Sequence, residues 1–451
     1  MSASSVSTTP LRAAVVKASL RSGFAADAIG TVVLNVVTIG VNFAMTLVLS
    51  RELGASGYGA FAFGLAWSAV LSVPAVLGLT PLVVRNVAAY SARSDWTLIR
   101  GLLRRSNEVV VVSSVLVMCM GAIVGWVLEG NEPQLLRAFL VALLLVPLVS
   151  LTTLRQSAMQ GLGKVVLGRV PETLLAPFLF LVLVAAASPT LGDRFSASTA
   201  MALQVAAQLV AFVAGIVLLR RTLPAQVHQV NAQYETRVWI RSALPLLAMS
   251  ALMALNAQLG TIFLGSMESA SAAGVYAVAS RVALFTSFFW LAATYPLMPA
   301  VARIHAQGNR AELQRMLNRS AIATVLASAA SALVLILFSG QLLALFGGDF
   351  GAGIWTMRIL AFGELGKVLM GFAGLTLVMT GYERDLTAGV AVAAGLNVIL
   401  NAGLIPIWGT NGAALGAAIS VVASNALLAV LLWKRLRLVS LPLPRLAFRH
   451  R

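Results

Sequence analysis

The chain has 451 residues, of which 59% are hydrophobic and only 10% are charged, and its net charge is +17. A soluble domain carries about 25% charged residues and cannot hide this much apolar surface from water, so the composition excludes a soluble enzyme and a soluble nucleic-acid-binding protein. The single cysteine, Cys119, excludes an internal disulfide and a thiolate metal cluster. The polar and basic N-terminus predicts no cleavable signal peptide.

Apolar runs of about 20 residues, the length that crosses a bilayer, recur along the whole chain. They predict an all-α integral membrane protein with about twelve transmembrane spans, numbered 1 to 12 in chain order. The predicted spans are 28–50, 59–83, 108–128, 135–155, 166–187, 198–219, 242–265, 272–297, 320–338, 354–380, 386–407 and 411–433. Residues 1–27 precede them as a cytoplasmic segment, residues 220–241 form a cytoplasmic linker, and residues 434–451 form a basic cytoplasmic tail.

Lysine and arginine residues concentrate at one side of these spans. With a cytoplasmic N-terminus, 26 of the 32 Lys and Arg residues fall on the cytoplasmic side and four on the other side. The remaining two, Arg281 and Lys367, fall inside spans. Because basic loops stay in the cytoplasm, this asymmetry predicts an even number of spans. It also predicts a multi-pass protein of the bacterial inner membrane with both termini in the cytoplasm.

A stripe of polar side chains recurs at helical spacing along span 1. Its members are Thr31, Asn35, Thr38, Asn42 and Thr46. Span 7 adds two amides, Asn256 and Gln258. Amides and hydroxyls suit sugar hydroxyls, and they serve equally well as hydrogen-bond contacts between helices, so both interpretations stay open. Asn397 and Asn401 in span 11 are interpreted first as packing contacts.

Charged side chains inside spans are rare because each costs a few kcal/mol or more. Arg281 lies about ten residues into span 8, and its planar fork of donors suits a phosphate; a structural ion pair is the alternative. Glu364 and Lys367 lie one turn apart in span 10. They either neutralise each other or line a cavity, where Lys367 would meet phosphate and Glu364 a proton or cation. Glu172 in span 5 is predicted to pair with Arg169.

The two halves of the chain match at a constant offset of 215 residues. The clearest correspondences pair Ala55 with Ala270, Gly59 with Gly274, Pro81 with Pro296, Arg100 with Arg315, and Arg104 with Arg319. Six spans per half is an even number, so both halves enter the membrane in the same direction. The repeat therefore predicts two six-helix bundles, residues 28–219 and 242–433, related by a parallel pseudo-two-fold axis. Two such bundles can rock around a central cavity to give alternating access.

Residues 49–90 contain "SR-x-LG" at the end of span 1, "YG-x-F-x-F" at the start of span 2, and "R-x-VA-x-Y" after it. With the segment 274–306, they resemble the polysaccharide-transport (oligosaccharide or O-antigen flippase) family of the multidrug/oligosaccharidyl-lipid/polysaccharide (MOP) superfamily. The resemblance covers residues 24–435 and implies a MATE-like fold with a V-shaped pair of bundles. Its implied cargo is an undecaprenyl-diphosphate-linked sugar repeat unit. Unlike peptidoglycan-precursor flippases of the superfamily, the chain has no Lys or Arg between Arg21 and Arg51.

The resemblance predicts a flippase that moves this cargo by alternating access for surface or exopolysaccharide biosynthesis. The diphosphate would be attracted by Arg281 and Lys367. The alternatives are an ion-coupled multidrug extruder of the same superfamily and a non-transporting scaffold of a polysaccharide assembly complex. With no catalytic or nucleotide motif in the sequence, we expect no enzymatic activity and no cofactor; a proton or sodium gradient is the candidate energy source. The expected partners are lipid-linked oligosaccharide, membrane lipids and a polysaccharide polymerase or ligase complex, and no nucleic acid.

Overall fold

The computed structural model describes the backbone of residues 10–127 and 133–441. It describes their side chains except at positions 10–29, 31–33, 35, 127, 193, 240–242, 244 and 245. Every regular element of this described part is helical, as expected for a chain that must satisfy its backbone hydrogen bonds within each segment in a bilayer.

The first half contains spans 1 to 6. Spans 1 and 2 share the helix Pro10–Val76, which is interrupted at Gly54, and span 2 continues as Leu79–Ala92. Span 3 is the helix Trp96–Val127, and span 4 consists of Pro133–Ala142 and Leu145–Gly161. Span 5 consists of Val165–Val170, the π-helical turn Pro171–Leu175 and Ala176–Leu191. Span 6 is Ala197–Thr222. A 3-10 turn, Gly192–Arg194, precedes span 6, and a short helix, Ala225–Gln229, lies in the linker after it.

The second half repeats this order with spans 7 to 12. Span 7 is the helix Thr236–Met267. Span 8 consists of Ala270–Ala283, the 3-10 turn Leu284–Ser287 and Phe288–Ala306. Span 9 is Arg310–Leu337, and span 10 consists of Ile354–Leu369 and Ala373–Met379. The short helix Ser339–Ala344 and the 3-10 helix Gly348–Gly353 form the loop before span 10. Spans 11 and 12 share the helix Glu383–Leu436, which is interrupted at Gly409.

The described part of the chain confirms the prediction of about twelve spans. Nine of its helices are long and apolar enough to cross a membrane, and the bent pair of span 10 makes ten. The helices Val36–Val76 and Glu383–Leu436 each contain a glycine with non-helical angles, Gly54 (φ 65°) and Gly409 (φ 53°), and therefore hold two spans each. The count is then twelve. The division of the chain into two bundles, 28–219 and 242–433, separated by a linker at 220–241, stays a prediction.

The twelve spans give the molecule two faces. The side called here the basic face holds the span ends near residues 92–96, 161–165, 222–236, 306–310, 379–383 and 436. The opposite face holds those near 51–55, 191–197, 267–270, 337–354 and 408–410. Both ends of the described chain lie at the basic face. The cytoplasmic location of this face stays a prediction.

Candidate functional site

Spans 2 and 8 cross near the opposite face through small residues that the internal repeat relates. A Cβ atom added to Gly59 would lie 1.7 Å from the carbonyl oxygen of Ala270, and one added to Gly274 would lie 2.1 Å from that of Ala55. Because Ala55 and Gly59 correspond to Ala270 and Gly274, the contact is symmetric about the pseudo-two-fold axis. Small residues four apart allow helices in membranes to approach this closely. The two halves are therefore in direct backbone contact here.

The loop between spans 9 and 10 closes the same face with aromatic rings. Phe346 packs edge-on against Phe43 of span 1, with ring centroids 5.4 Å apart, and Phe350 packs against Tyr58 of span 2 at 6.3 Å. Phe346, Phe350 and Tyr58 are all buried. Together with the helix crossing, these ring contacts join the two halves at the opposite face.

The helix crossing predicts that Gly59→Val shifts the protein toward states that are open at the opposite face. The valine side chain would overlap the Ala270 carbonyl, and overpacking typically costs about 1–3 kcal/mol. That energy shifts a conformational equilibrium by about 5- to 150-fold. The measurement is the rate at which an impermeant thiol reagent, added at the opposite face, modifies Asn42→Cys in a Cys119→Ala background. We expect the rate to rise at least about fivefold.

The matched control for this prediction is Gly40→Ala. Gly40 lies in span 1, and a Cβ atom added to it would meet nothing within 4 Å. The thiol modification rate is expected to stay at the parental value in this variant. If thiol modification of Asn42→Cys is equally fast in the Gly59→Val and Gly40→Ala proteins, the crossing of spans 2 and 8 does not limit access from the opposite face.

Arg281 lies inside span 8, at the junction of the two halves. Its Nη1 donates to the hydroxyl of Thr46 in span 1, and the Thr46 hydroxyl in turn donates to the Asn42 carbonyl at 2.8 Å. Among the described side chains, no carboxylate lies within ion-pairing distance of Arg281. In this part of the chain, no residue could be the partner of Arg281 in the structural ion pair that is the alternative to anion binding. Most of its N–H donors make no hydrogen bond to the described residues.

The described members of the polar stripe of span 1, Thr38, Asn42 and Thr46, donate hydrogen bonds to backbone carbonyls of their own helix. Thr38 donates to the carbonyl of Leu34 at 2.6 Å, and Asn42 donates to the carbonyl of Thr38 at 2.8 Å. Such back-bonding leaves the amide oxygen of Asn42 available to an outside donor. The side chain of Asn35 lies outside the described residues. Its predicted role, like that of Asn42, stays a prediction.

Glu364 and Lys367 form an ion pair in span 10. Their side chains are 16% and 19% exposed, so neither is fully buried. The Lys367 ammonium also donates to the Ser287 hydroxyl at 3.3 Å and lies 5.4 Å from the ring centroid of Trp290, and both of these partners belong to span 8. Lys367 is thus neutralised by its neighbour, whereas Arg281 is not. Sequence reasoning misses Ser287 and Trp290, because nothing in their spacing marks them as contacts of a lysine.

The amides of span 7 take two different environments. The Asn256 Oδ1 atom accepts a hydrogen bond of 2.7 Å from Asn397 of span 11, and Asn397 also contacts Asn401 one turn away. Asn256 therefore lies in a contact between helices. Gln258 is half-buried, and its side chain has no hydrogen-bond partner in the part of the chain that the structure describes. The structure does not bring either amide into contact with Arg281.

Glu172 pairs with Arg155, so the expected pairing with Arg169 is wrong. Arg155 Nη2 lies 2.6 Å from both carboxylate oxygens of Glu172, and Gln156 donates to Glu172 at 3.0 Å. Arg155 is only 4% exposed, and its guanidinium also donates to the carbonyl of Gly215 in span 6. The ion pair therefore joins spans 4, 5 and 6 inside the first half, away from the junction.

Tyr90, the last residue of the "R-x-VA-x-Y" motif, connects span 2 to the linker and to span 7. Trp239 donates to the Tyr90 hydroxyl at 3.3 Å, and that hydroxyl donates to Glu235 at 3.3 Å. Burial and the neighbouring Glu235 carboxylate raise the pKa of Tyr90 above its ordinary value of 10. The hydroxyl thus stays protonated at neutral pH, and this motif residue joins the two halves at the basic face.

The described residues contain no group of three or more His, Cys, Asp or Glu side chains placed to hold a metal ion. Cys119 is exposed on span 3. The expectation of no cofactor stays a prediction.

Comparisons with known proteins agree with this architecture. A family model described as polysaccharide biosynthesis protein matches residues 24–305, which is more than half of the chain, and a model described as MatE matches residues 245–402. No curated protein sequence matches the chain.

Solved structures share the fold over most of the chain. A multidrug resistance MATE family transporter of the MOP superfamily, in an inward-facing conformation, has 14% identity and a TM-score of 0.71 and covers 88% of this chain and 94% of its own. The lipid II flippase MurJ, in an inward closed conformation, has 12% identity and a TM-score of 0.71, with 88% and 86% coverage. An outward-facing MATE structure has 14% identity and a TM-score of 0.57, with 91% and 95% coverage. These similarities confirm the predicted all-α, MATE-like fold of the MOP superfamily.

Proposed function

Because the chain belongs to the polysaccharide biosynthesis protein family, we propose that it is a flippase for undecaprenyl-diphosphate-linked oligosaccharide repeat units. The sugar head would pass through the cavity between the halves while the lipid tail stays in the bilayer. Movement would follow alternating access between the two six-span halves, for surface or exopolysaccharide biosynthesis. A proton or sodium gradient is the proposed energy source.

The uncompensated charge of Arg281 is the observation that carries this proposal. A guanidinium without a carboxylate partner among the described residues, half-buried at the junction of the halves, favours an anionic group. Its planar donors match phosphate oxygens, which accept charge-assisted hydrogen bonds. The diphosphate of the cargo is such a group. Attraction to Arg281 would offset the loss of hydration as the head group enters the cavity.

The proposed location is the bacterial inner membrane, with the basic face in the cytoplasm. The concentration of Lys and Arg at that face supports this orientation. When the protein is open at the basic face, the cavity would receive cargo from the cytoplasmic leaflet. The proposed partners are membrane lipids and a polymerase or ligase that consumes the exported repeat units.

Deletion of the gene tests the proposal directly. We expect loss of a surface or extracellular polysaccharide and accumulation of labelled lipid-linked repeat units in the leaflet at the basic face. The labelled units would be followed in sealed membrane vesicles of known orientation, and the wild-type gene should restore export. Polysaccharide loss without accumulation in that leaflet would instead indicate a scaffold that assembles other enzymes.

An ion-coupled drug extruder is the second candidate, because the MatE family model matches residues 245–402. A cationic drug needs a free carboxylate in the cavity. Two of the three candidate carboxylates are paired, Glu172 with Arg155 and Glu364 with Lys367, which disfavours this candidate. The third, Asp27 at the start of span 1, has a side chain outside the described residues. If deletion leaves the polysaccharides unchanged and increases sensitivity to cationic dyes, the extruder replaces the flippase.

A further inference from the structure

The chain continues beyond span 12 as an extended segment that is buried against the second half. Helix Glu383–Leu436 ends at Arg437, which has a left-handed φ of 53°. Leu438 and Ser440 are only 3% and 1% exposed. The side-chain amide of Gln314 in span 9 bonds both backbone groups of Val439, accepting from its N–H at 2.9 Å and donating to its carbonyl. Residues 438–440, called here the C-terminal strap, therefore have a defined position.

The strap packs against the break that divides span 10. The Ser440 hydroxyl donates to the carbonyl of Met370 at 2.7 Å. Gly371 adopts a φ of 70°, and a Cβ atom added to it would lie 1.9 Å from the Ser440 carbonyl oxygen. Only glycine fits here, for reasons of both backbone conformation and space. The strap thus satisfies a carbonyl that the break leaves without a helical partner.

Trp290 connects this break to Lys367. Its indole Nε1 donates to the Gly371 carbonyl at 2.9 Å, and its ring stacks on Phe372 with centroids 5.9 Å apart and an interplanar angle of 5°. The ring also lies 5.4 Å, measured from its centroid, from the Lys367 ammonium. The strap, the break, the indole ring and the ammonium form one continuous series of contacts.

We propose that the C-terminal strap and Trp290 are positioning residues for Lys367, and that they hold its ammonium where an anionic head group can share it. A lysine side chain has a flexible four-carbon stem, and without the indole ring the Lys367 ammonium would be held only by Glu364 and the Ser287 hydroxyl. The hydrogen bond to Gly371 and the stack on Phe372 fix the ring, and the strap fixes the break. The role in cargo binding rests on the proposed function, whereas the placement of Lys367 does not.

A cargo-independent experiment measures the exposure of Lys367. The chain contains four lysines, so peptide mass spectrometry can readily assign which of them an amine-reactive acylating reagent modifies. The exposed Lys164 serves as the internal reference. In Gly371→Ala the new methyl group displaces the strap, and the ring no longer shields the ammonium. We expect Lys367 acylation to rise about fivefold relative to Lys164, the factor that corresponds to loss of one cation–π contact. Trp290→Leu should give the same result.

The matched control is Gly381→Ala. Gly381 has a φ of 89° and lies just beyond span 10, but a Cβ atom added to it would meet nothing within 4 Å. This variant introduces the same backbone strain without touching the strap. Equal Lys367 acylation in the Gly371→Ala and Gly381→Ala proteins would overturn the positioning role.

A second experiment measures binding of undecaprenyl diphosphate to the full-length protein in detergent. We expect Gly371→Ala to weaken binding about fivefold in the wild-type background and to have no effect in a Lys367→Met background, because the strap acts through that lysine. An equal loss in both backgrounds would overturn the action through Lys367. A rise in acylation without any wild-type affinity for the lipid would support the placement of Lys367 and overturn the proposed cargo.

Discussion

Replacing Arg281 with alanine is expected to abolish export of lipid-linked repeat units while the protein stays folded in the membrane. The guanidinium has a hydroxyl partner, Thr46, and no described carboxylate partner, so its removal leaves no opposite charge stranded among the described residues. Charge-assisted hydrogen bonds contribute about 1.5–3 kcal/mol, which corresponds to a loss of about 10- to 150-fold in affinity for undecaprenyl diphosphate. Export of labelled repeat units and binding of the lipid by the purified protein are the two measurements.

Two further variants define what Arg281 contributes. Arg281→Lys keeps the positive charge but loses the planar fork of N–H donors. We expect its affinity for undecaprenyl diphosphate to lie between those of the wild type and Arg281→Ala. Arg303→Ala removes an exposed arginine from the basic-face end of the same span, and we expect normal export. Full export by Arg281→Ala, at normal protein abundance, would remove this residue from the mechanism.

Replacing Arg155 with leucine is expected to destabilise the first half strongly, because Glu172 would stay buried without its partner. Removing one member of a buried ion pair typically costs about 3–5 kcal/mol. The double variant, Arg155→Leu with Glu172→Leu, should recover most of this loss, since two apolar side chains of similar volume often replace such a pair without penalty. Thermal unfolding of the purified protein and its abundance in membranes are the measurements.

Arg104→Leu serves as the control for this prediction. It breaks the pair with Glu108, whose members are 65% and 46% exposed, and we expect little change in stability because solvent screens such pairs. If Arg155→Leu alone leaves the unfolding temperature unchanged, the buried pair contributes nothing to the stability of spans 4 to 6.

The number and order of the spans can be predicted from the sequence because each span is a local property. An apolar run long enough to cross the bilayer identifies itself without reference to the rest of the chain. The turns at Gly54 and Gly409 are less visible, because the helical hydrogen bonding resumes at once on either side and two spans form one long helix. Extension of spans beyond the bilayer is harder to predict, because charged residues near a membrane surface can end a helix or continue it.

Pairings between distant side chains cannot be predicted in the same way. Sequence proximity favours Arg169 as the partner of Glu172, because the two residues lie one turn apart in an ideal helix. Span 4 instead continues to Gly161, which carries Arg155 into the bundle, and the π-helical turn at Pro171–Leu175 changes the local register around Glu172. The sequence pattern puts Arg155 at the end of span 4, where its burial among spans 4, 5 and 6 is not expected.

The candidate site can be predicted in part. The charged residues inside spans stand out because they violate the apolar pattern, and Arg281 and Lys367 do lie half-buried along span 8 and span 10. The contact of Arg281 with Thr46 depends on how the two halves pack together, and those of Lys367 depend on how spans 8 and 10 pack within the second half. No local pattern contains that information. The internal repeat reveals that the halves are alike, but not that Gly59 and Gly274 touch.

The symmetric contact between those glycines has a consequence for the origin of the charge in the cavity. A homodimer of one six-helix unit would make this contact with two identical surfaces, and any arginine placed beside it would appear twice. In the fused chain, the position equivalent to Arg281 at the offset of 215 is Ala66, which is buried. Duplication followed by fusion therefore allows one copy to keep an apolar packing residue while the other acquires a cation, so the junction of the halves carries one charge here and not two that repel each other.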